Sequence, residues 1–370
     1  MSTFGRFTPL INALPSTVPF VGPEALERIY GRPMQARIGA NESGFGPAPS
    51  VIRAMQEQAG SVWMYADPEH FALKQAIATH HGLSPKNIAI GEGVDSLLGL
   101  TVRLVVEKGT KVVTSKGGYP TFSYHVDGFG GERIGVAYDG DRENLPGLLE
   151  TAIREDATMV YFANPDNPMG SWWEATDVLE FARTLPETCL LVLDEAYCEC
   201  GPLTAFPDSD SLIDLPNVLR FRTFSKAYGL AGARVGYAMG APETIAMFDK
   251  IRNHFGMPRL SIVAALAALA DQPYLQAVIG RIRESRDEIG RIATANGFEA
   301  LPSATNFVAV DCGRDGAYAR AIVEALGKRG VFIRMPGIAP LDRCIRISTG
   351  PSGDMEQLEA ALPAVLAELG

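Results

Sequence analysis

Residues 158–197 read TMVYFANPDNPMGSWWEATDVLEFARTLPETCLLVLDEAY, and the fold is decided there. Two short apolar runs, Thr158–Phe162 and Leu190–Leu193, each end abruptly in polar or turn-forming residues, as strands buried on both faces do. Working outward, similar runs recur at Asn87–Ile90, Lys111–Ser115, Glu132–Ala137, Val218–Thr223 and Val235–Met239. Helices are predicted at Pro23–Tyr30, Pro49–Gln58, Phe71–His80 and Ser96–Val106. Strands alternating with amphipathic helices predict an α/β fold, with a mostly parallel seven-stranded sheet between helices. Beyond Pro242 the pattern turns helical, through Leu260–Leu269 and Tyr274–Ile289. The tail alternates strands Phe307–Val310, Val331–Ile333 and Cys344–Ser348 with helices Gly316–Lys328 and Asp354–Leu369. The expected division is an arm that joins a small domain (1–43), a large domain (44–262) and a smaller α+β domain (263–370).

Composition narrows the functional classes. The 370 residues are 46% hydrophobic and 21% charged, and 33 basic against 43 acidic side chains give a net charge of −10. An acidic chain of this kind is not built to bind nucleic acid or an anionic membrane. No apolar run approaches the roughly 20 residues of a bilayer span. The opening MSTFGRFTPLINALP lacks a secretory pattern, so a cytoplasmic protein is expected. Five cysteines show no disulfide framework, and Cys198 and Cys200, one residue apart, lack the second Cys/His pair that a metal site would show. The five histidines are scattered and G-x-S-x-G is absent, which argues against a histidine-centred hydrolase.

In open α/β sheets ligands bind beyond the carboxyl ends of the strands. Strand Asn87–Ile90 runs into Gly91-Glu92-Gly93-Val94-Asp95-Ser96 and a helix, whose first N–H groups attract a phosphate. Strand Thr158–Phe162 ends in a loop with two Asn-Pro steps, stiff enough to aim an amide side chain. Asp194 follows a buried strand and so wants a cationic partner, unless it only caps a helix. Lys226 is set apart from the other seven lysines. It alone ends an apolar strand, among hydroxyls, small residues and aromatics, in TFSKAYGLAGARVGY. An amine held there is a usable nucleophile toward a carbonyl.

Taken in order, these motifs resemble the pyridoxal-phosphate enzymes of the aspartate-aminotransferase fold, and within them the histidinol-phosphate aminotransferase branch. TFSKAYGLAGARVGY resembles the branch's lysine motif, FANPDNPMG its NPNNPTG, IGEGVDSLL its G-x-G-S-D-E-x-I turn, and DEAY is shared. ANESGFGP, LPSATNFVAVD and IRISTG extend the likeness over about residues 39–365. The resemblance implies fold type I, with pyridoxal 5'-phosphate as cofactor, no metal, and a homodimer with shared active sites.

Carried over residue by residue, the resemblance gives Lys226 the covalent bond to the cofactor and the proton transfer at the substrate. It pairs Asp194 with the ring nitrogen and sets Tyr197 and Asn167 against the ring oxygen. Gly93, Val94, Asp95, Thr223, Ser225 and Arg234 form the phosphate cup, Phe122 stacks on the ring, and Tyr65 reaches the phosphate of the neighbouring subunit. On the substrate side stand Arg346, clamping a carboxylate, Arg334, facing a distal anion, and Asn41 and Phe20. The sequence departs from the pattern at Met169, where Thr is usual, at Val94, and at Phe20, where many relatives carry a tyrosine. The activity implied is transfer of an amino group between an amino acid or amino-alcohol phosphate, foremost L-histidinol phosphate, and 2-oxoglutarate. An aromatic or broad-range aminotransferase, a decarboxylase resembling those of threonine phosphate, and a non-catalytic sensor on the same fold are the alternatives.

Overall fold

The computed structural model describes residues 5, 7–16 and 21–370. After a two-residue strand β1 (Ala36–Arg37), seven strands build the main sheet: β2 (Ile88–Gly91), β3 (Lys111–Ser115), β4 (Glu132–Val136), β5 (Met159–Ala163), β6 (Leu190–Asp194), β7 (Val218–Thr223) and β8 (Gly236–Gly240). Their spatial order is β2-β8-β7-β6-β5-β3-β4. Pairs from β7 through β4 are parallel, and β8 runs antiparallel to both β2 and β7. The seven strands and their mostly parallel arrangement agree with the sequence reading.

Strand alternation sends side chains to two separate cores. Met159 and Tyr161 of β5 join Val192 of β6 beneath the helices Gly93–Val105 and Pro120–Phe129. Val160 and Phe162 join Leu191 and Leu193 on the opposite face, against Leu145–Arg154 and Ala175–Thr184. Edge strand β4 exposes Glu132 and Arg133, charges that discourage pairing with another chain. The helices Pro120–Phe129, Leu145–Arg154 and Ala175–Thr184 are absent from the sequence reading. A further difference bears on the site: the helix expected from Ser96 begins at Gly93.

Strands β9 (Glu299–Ala300), β10 (Phe307–Asp311) and β12 (Cys344–Ser348) form an antiparallel sheet with β10 in the middle. β1 pairs in parallel with β11 (Val331–Phe332), so residues near the start of the chain are built into its last third. Ile38, Val310, Ile322, Ile347 and Leu358 share the core of this layer. Among the described residues, no single helix is long and apolar enough to cross a membrane.

Candidate active site

The carboxyl ends of β5, β6 and β7 lie side by side, with Ala163 opposite Asp194 and Asp194 opposite Phe221. They open on a cleft of about 950 Å³ whose other wall comes from Arg334 and its neighbours and from Arg346.

One corner suits an anion. Helix Gly93–Val105 starts there with no side-chain cap, leaving its first N–H groups available. Gly93 has φ +81°, and a Cβ on it would lie 2.6 Å from the Arg234 guanidinium. A Cβ on Gly236 would lie 2.8 Å from the Val94 nitrogen. The two glycines thus let helix end, strand and arginine converge. Thr223 Oγ1 donates to Ser225 Oγ at 2.9 Å and accepts from the Ser225 N–H at 3.1 Å. Arg234 reaches within 3.9 Å of Asp95, whose other carboxylate oxygen accepts from the Tyr119 hydroxyl at 2.8 Å. Of the residues expected to form the cup, Val94, Asp95, Thr223, Ser225 and Arg234 line the cleft, whereas Gly93 does not.

Deeper in, Asp194 accepts from the Tyr161 hydroxyl at 2.7 Å and the Ala196 N–H at 3.0 Å. Burial pushes its carboxyl up to about 6; the two hydrogen bonds and Lys226 oppose that, while Asp95 adds to it. A buried acid so placed is ready for a cation to restore its ionisation.

The orientation of the neighbouring amides follows from donor arithmetic. Arg346 can only donate, and its Nη1 lies 2.6 Å from Asn167 Oδ1. The Asn167 Nδ2 therefore turns to the Tyr197 hydroxyl oxygen, 3.2 Å away. Ser348 Oγ accepts from the Asn41 N–H and donates to Asn41 Oδ1, which aims Asn41 Nδ2 at the same oxygen, at 3.0 Å. With two bonds accepted, the Tyr197 proton remains for a group in the cleft. Lys226 Nζ donates to the Asn41 carbonyl at 3.2 Å and lies 5.3 Å from the centre of the Tyr197 ring.

The far end carries two cations on facing backbones. Arg334 and Arg346 exchange main-chain hydrogen bonds. Arg346 is buried, its Nε has no hydrogen-bond partner among the described residues, and burial lowers its pKa to about 10. Arg334 lies over the Phe332 ring and donates to the Val21 carbonyl at 3.3 Å.

Phe122, expected to stack on the cofactor ring, lies elsewhere. It is fully buried, stacked on Tyr161 with centroids 4.4 Å apart, and takes no part in the cleft lining. Residues 120–129 are a helix whose Phe122 and Val126 face the core, and Tyr119, just before it, lines the cleft instead. The Phe122/Val126 spacing and Pro120 at the first helical position were the available signals. Tyr65 is 75% exposed, tilted against Phe255, and away from this chain's cleft. Phe20 lies outside the described residues, although Val21 beside it lines the cleft. Ser348, which aims Asn41, was not singled out in the sequence. Among the described residues no cluster of His, Cys, Asp or Glu could hold a metal ion.

These features suit a phosphate-bearing pyridine cofactor. The cradle that the Cβ atoms of Gly93 and Gly236 would fill sits at a helix N-terminus, as a phosphate requires. A desolvated acid, a free phenolic proton and an amine lie beyond it.

The family model for aminotransferase class I and II matches residues 34–365. Histidinol-phosphate aminotransferase 1 of Mesorhizobium japonicum is 34% identical over 353 residues, 93% of each chain. The crystal structure of histidinol-phosphate aminotransferase from Sinorhizobium meliloti in complex with pyridoxal-5'-phosphate is 64% identical, covers 100% of both chains and superposes with a TM-score of 0.97. L-threonine-O-3-phosphate decarboxylase from Porphyromonas gingivalis shares the fold, with a TM-score of 0.74 at 17% identity over 89% of this chain and 99% of its own.

Proposed function

Because the chain belongs to the aminotransferase class I and II family, we propose that it moves the amino group of L-histidinol phosphate to 2-oxoglutarate with pyridoxal 5'-phosphate as cofactor. The observation that carries this reading is the pairing of Lys226 and Asp194 in one cleft with two arginines at its far end. The relatives whose names include histidinol phosphate support the choice of substrate.

Bound in the cleft, the cofactor supplies a carbonyl that captures an amine and a cationic ring that withdraws the electrons left at Cα. The chain's residues do the rest. The first turn at Val94 and Asp95, with Thr223, Ser225 and Arg234, holds the phosphate. Asp194 keeps the ring nitrogen protonated through an ion pair in a dry site. Tyr197 donates its free proton to the ring oxygen, and Asn167 and Asn41 fix that hydroxyl. Lys226 Nζ would hold the cofactor covalently and, once free, would take the proton from the substrate Cα. Arg346 grips the anion that each substrate presents, a carboxylate in the case of glutamate, in a planar fork, and Arg334 meets the distal anion.

The enzyme works in the cytoplasm as a homodimer in which Tyr65 serves the partner's phosphate. The exposed side chains of Trp63, Tyr65 and Phe255 support that reading as an apolar face. The deciding measurement is kcat/KM for histidinol phosphate against histidinol and an apolar L-amino acid, with 2-oxoglutarate as acceptor. Preference for the phosphorylated compound, without release of CO₂, is expected. Equal rates on all three would replace this reading with a broad-range aminotransferase.

A further inference from the structure

The Asn41 carbonyl that receives the Lys226 amine has a second donor. Asn306 Nδ2 lies 3.0 Å from it and 3.4 Å from the Glu42 carbonyl. Asn306 is fully buried, behind the cleft rather than in its lining. It stands immediately before β10, and its own carbonyl accepts from the N–H of Thr349, just after β12, at 2.9 Å and from the Thr349 hydroxyl at 3.1 Å. The ends of two paired strands therefore fix where its amide sits.

That amide is used on one side only. Asn306 Oδ1 is buried and has no hydrogen-bond partner among the described residues. Leaving a buried acceptor unmet is costly, and turning the amide over would set that oxygen against two carbonyls. The side chain is thus held to one task, donating to the Asn41–Glu42 corner. The corner needs holding, because Asn41 has φ +55°, in the left-handed region that few residues other than glycine adopt. Ser348 holds the Asn41 N–H and the side chain that serves Tyr197, but not the carbonyl. Among the described residues only Asn306 and Lys226 donate to that oxygen.

We propose that Asn306 is a positioning residue for Lys226: by fixing the Asn41 carbonyl, it keeps the free amine docked where it can bond the cofactor and later take the substrate proton. The inference rests on the reading of Lys226 as the cofactor's anchor. A carbonyl suits such a dock, since a neutral amine that donates one N–H to it keeps its lone pair for reaction. The lysine stem is long and flexible, so an amine without a fixed acceptor explores many positions. A displacement of about 1 Å can cost a reaction about 100-fold. No other group among the described residues bonds the amine: the centre of the Tyr197 ring lies 5.3 Å away, and Asp194 reaches it only through charge.

The test separates placement of the amine from integrity of the cleft. Cofactor-free protein captures pyridoxal 5'-phosphate when the Lys226 lone pair joins the aldehyde carbon and one water leaves, a step followed by stopped-flow absorbance at saturating pyridoxal phosphate. Pyridoxamine 5'-phosphate carries an amine in place of the aldehyde, so it fills the same cup without bonding Lys226. Asn306→Ala leaves a void and Asn306→Leu fills it, and neither donates. Both should capture pyridoxal phosphate about tenfold or more slowly than wild type, with the dissociation constant for pyridoxamine phosphate unchanged within about twofold. Single turnover of the loaded variants with glutamate should slow by a similar factor, because the same amine moves the proton. Capture or turnover at the wild-type rate in both variants overturns the proposal. So does a loss confined to Asn306→Ala, which would make the side chain a space-filler. An equal loss of affinity for pyridoxamine phosphate also overturns it, leaving Asn306 a part of the fold alone. Borohydride reduction of loaded wild type that labels another lysine refutes the anchor reading itself.

Discussion

Lys226 owes its importance to position. Its amine is the one placed by a strand end against the Asn41 carbonyl and the Tyr197 ring. Lys226→Ala should abolish turnover while leaving the thermal transition nearly intact. Borohydride reduction of the cofactor-loaded enzyme followed by peptide mapping checks the anchor, and a label on any other lysine sinks it. Asp194→Asn should retain the cofactor and lose several orders of magnitude in rate, because an amide cannot keep the ring nitrogen charged. The same residue makes a pH prediction for the cofactor-free protein. Its folded-state pKa of about 6 lies above the ordinary 3.8, so between those values the folded chain binds more protons than the unfolded one. Stability should therefore fall as pH rises from about 4 to 6, by up to about 3 kcal/mol from this group. Thermal melts of cofactor-free wild type and Asp194→Asn across that range test it, and parallel curves would refute it.

Elements explain both what the sequence revealed and what it hid. Strands β3, β7 and β12 match their expected limits, because each is a short, mostly buried run rich in β-branched and apolar residues and bounded by polar or turn-forming ones. The strand-end residues Asn167, Asp194 and Lys226 were legible for the same reason, since each follows such a run. The helices packed on the sheet were harder. Pro120–Phe129 carries Pro and Gly and mixes aromatic with polar residues, which obscures its helical period and hides that Phe122 faces the core. The Tyr197 network was hidden altogether, because Asn41, Asn167 and Ser348 are up to 307 residues apart in sequence. The start of helix Gly93–Val105 permits a sharp test. Gly236→Ala places a Cβ 2.8 Å from the Val94 nitrogen and must displace the phosphate-facing backbone. Its dissociation constant for pyridoxal phosphate should rise about tenfold or more, a loss of at least about 1.4 kcal/mol. Gly280→Ala, with open space at its Cβ, should leave the constant unchanged. Equal constants in the two variants would remove Gly236 from the cradle.

At the scale of the whole molecule, the two arginines should contribute unequally. Arg346→Ala should damage both half-reactions, whereas Arg334→Ala should harm only substrates with a distal anion. Each desolvated charge-assisted pair is worth about 1.5–3 kcal/mol, or roughly 10- to 150-fold in kcat/KM. Separate half-reaction kinetics with glutamate and histidinol phosphate measure the first, and histidinol and an apolar L-amino acid, which lack a distal anion, supply the contrast for the second. Sharing of sites between subunits is open to complementation. Provided Tyr65→Phe alone is severely impaired, mixing it with Lys226→Ala should generate one intact site per mixed dimer and partly recover activity. Subunit exchange without recovery would count against a shared site. The pairing of β1 with β11 also imposes an order of assembly. At about 5–20 residues per second, Ala36 is made roughly 15–60 s before its partner Val331. Asn41, a few residues after β1, waits as long for Ser348. The nascent chain can therefore lay down most of the main sheet well before it can assemble the catalytic centre, which is completed by its last-made strands.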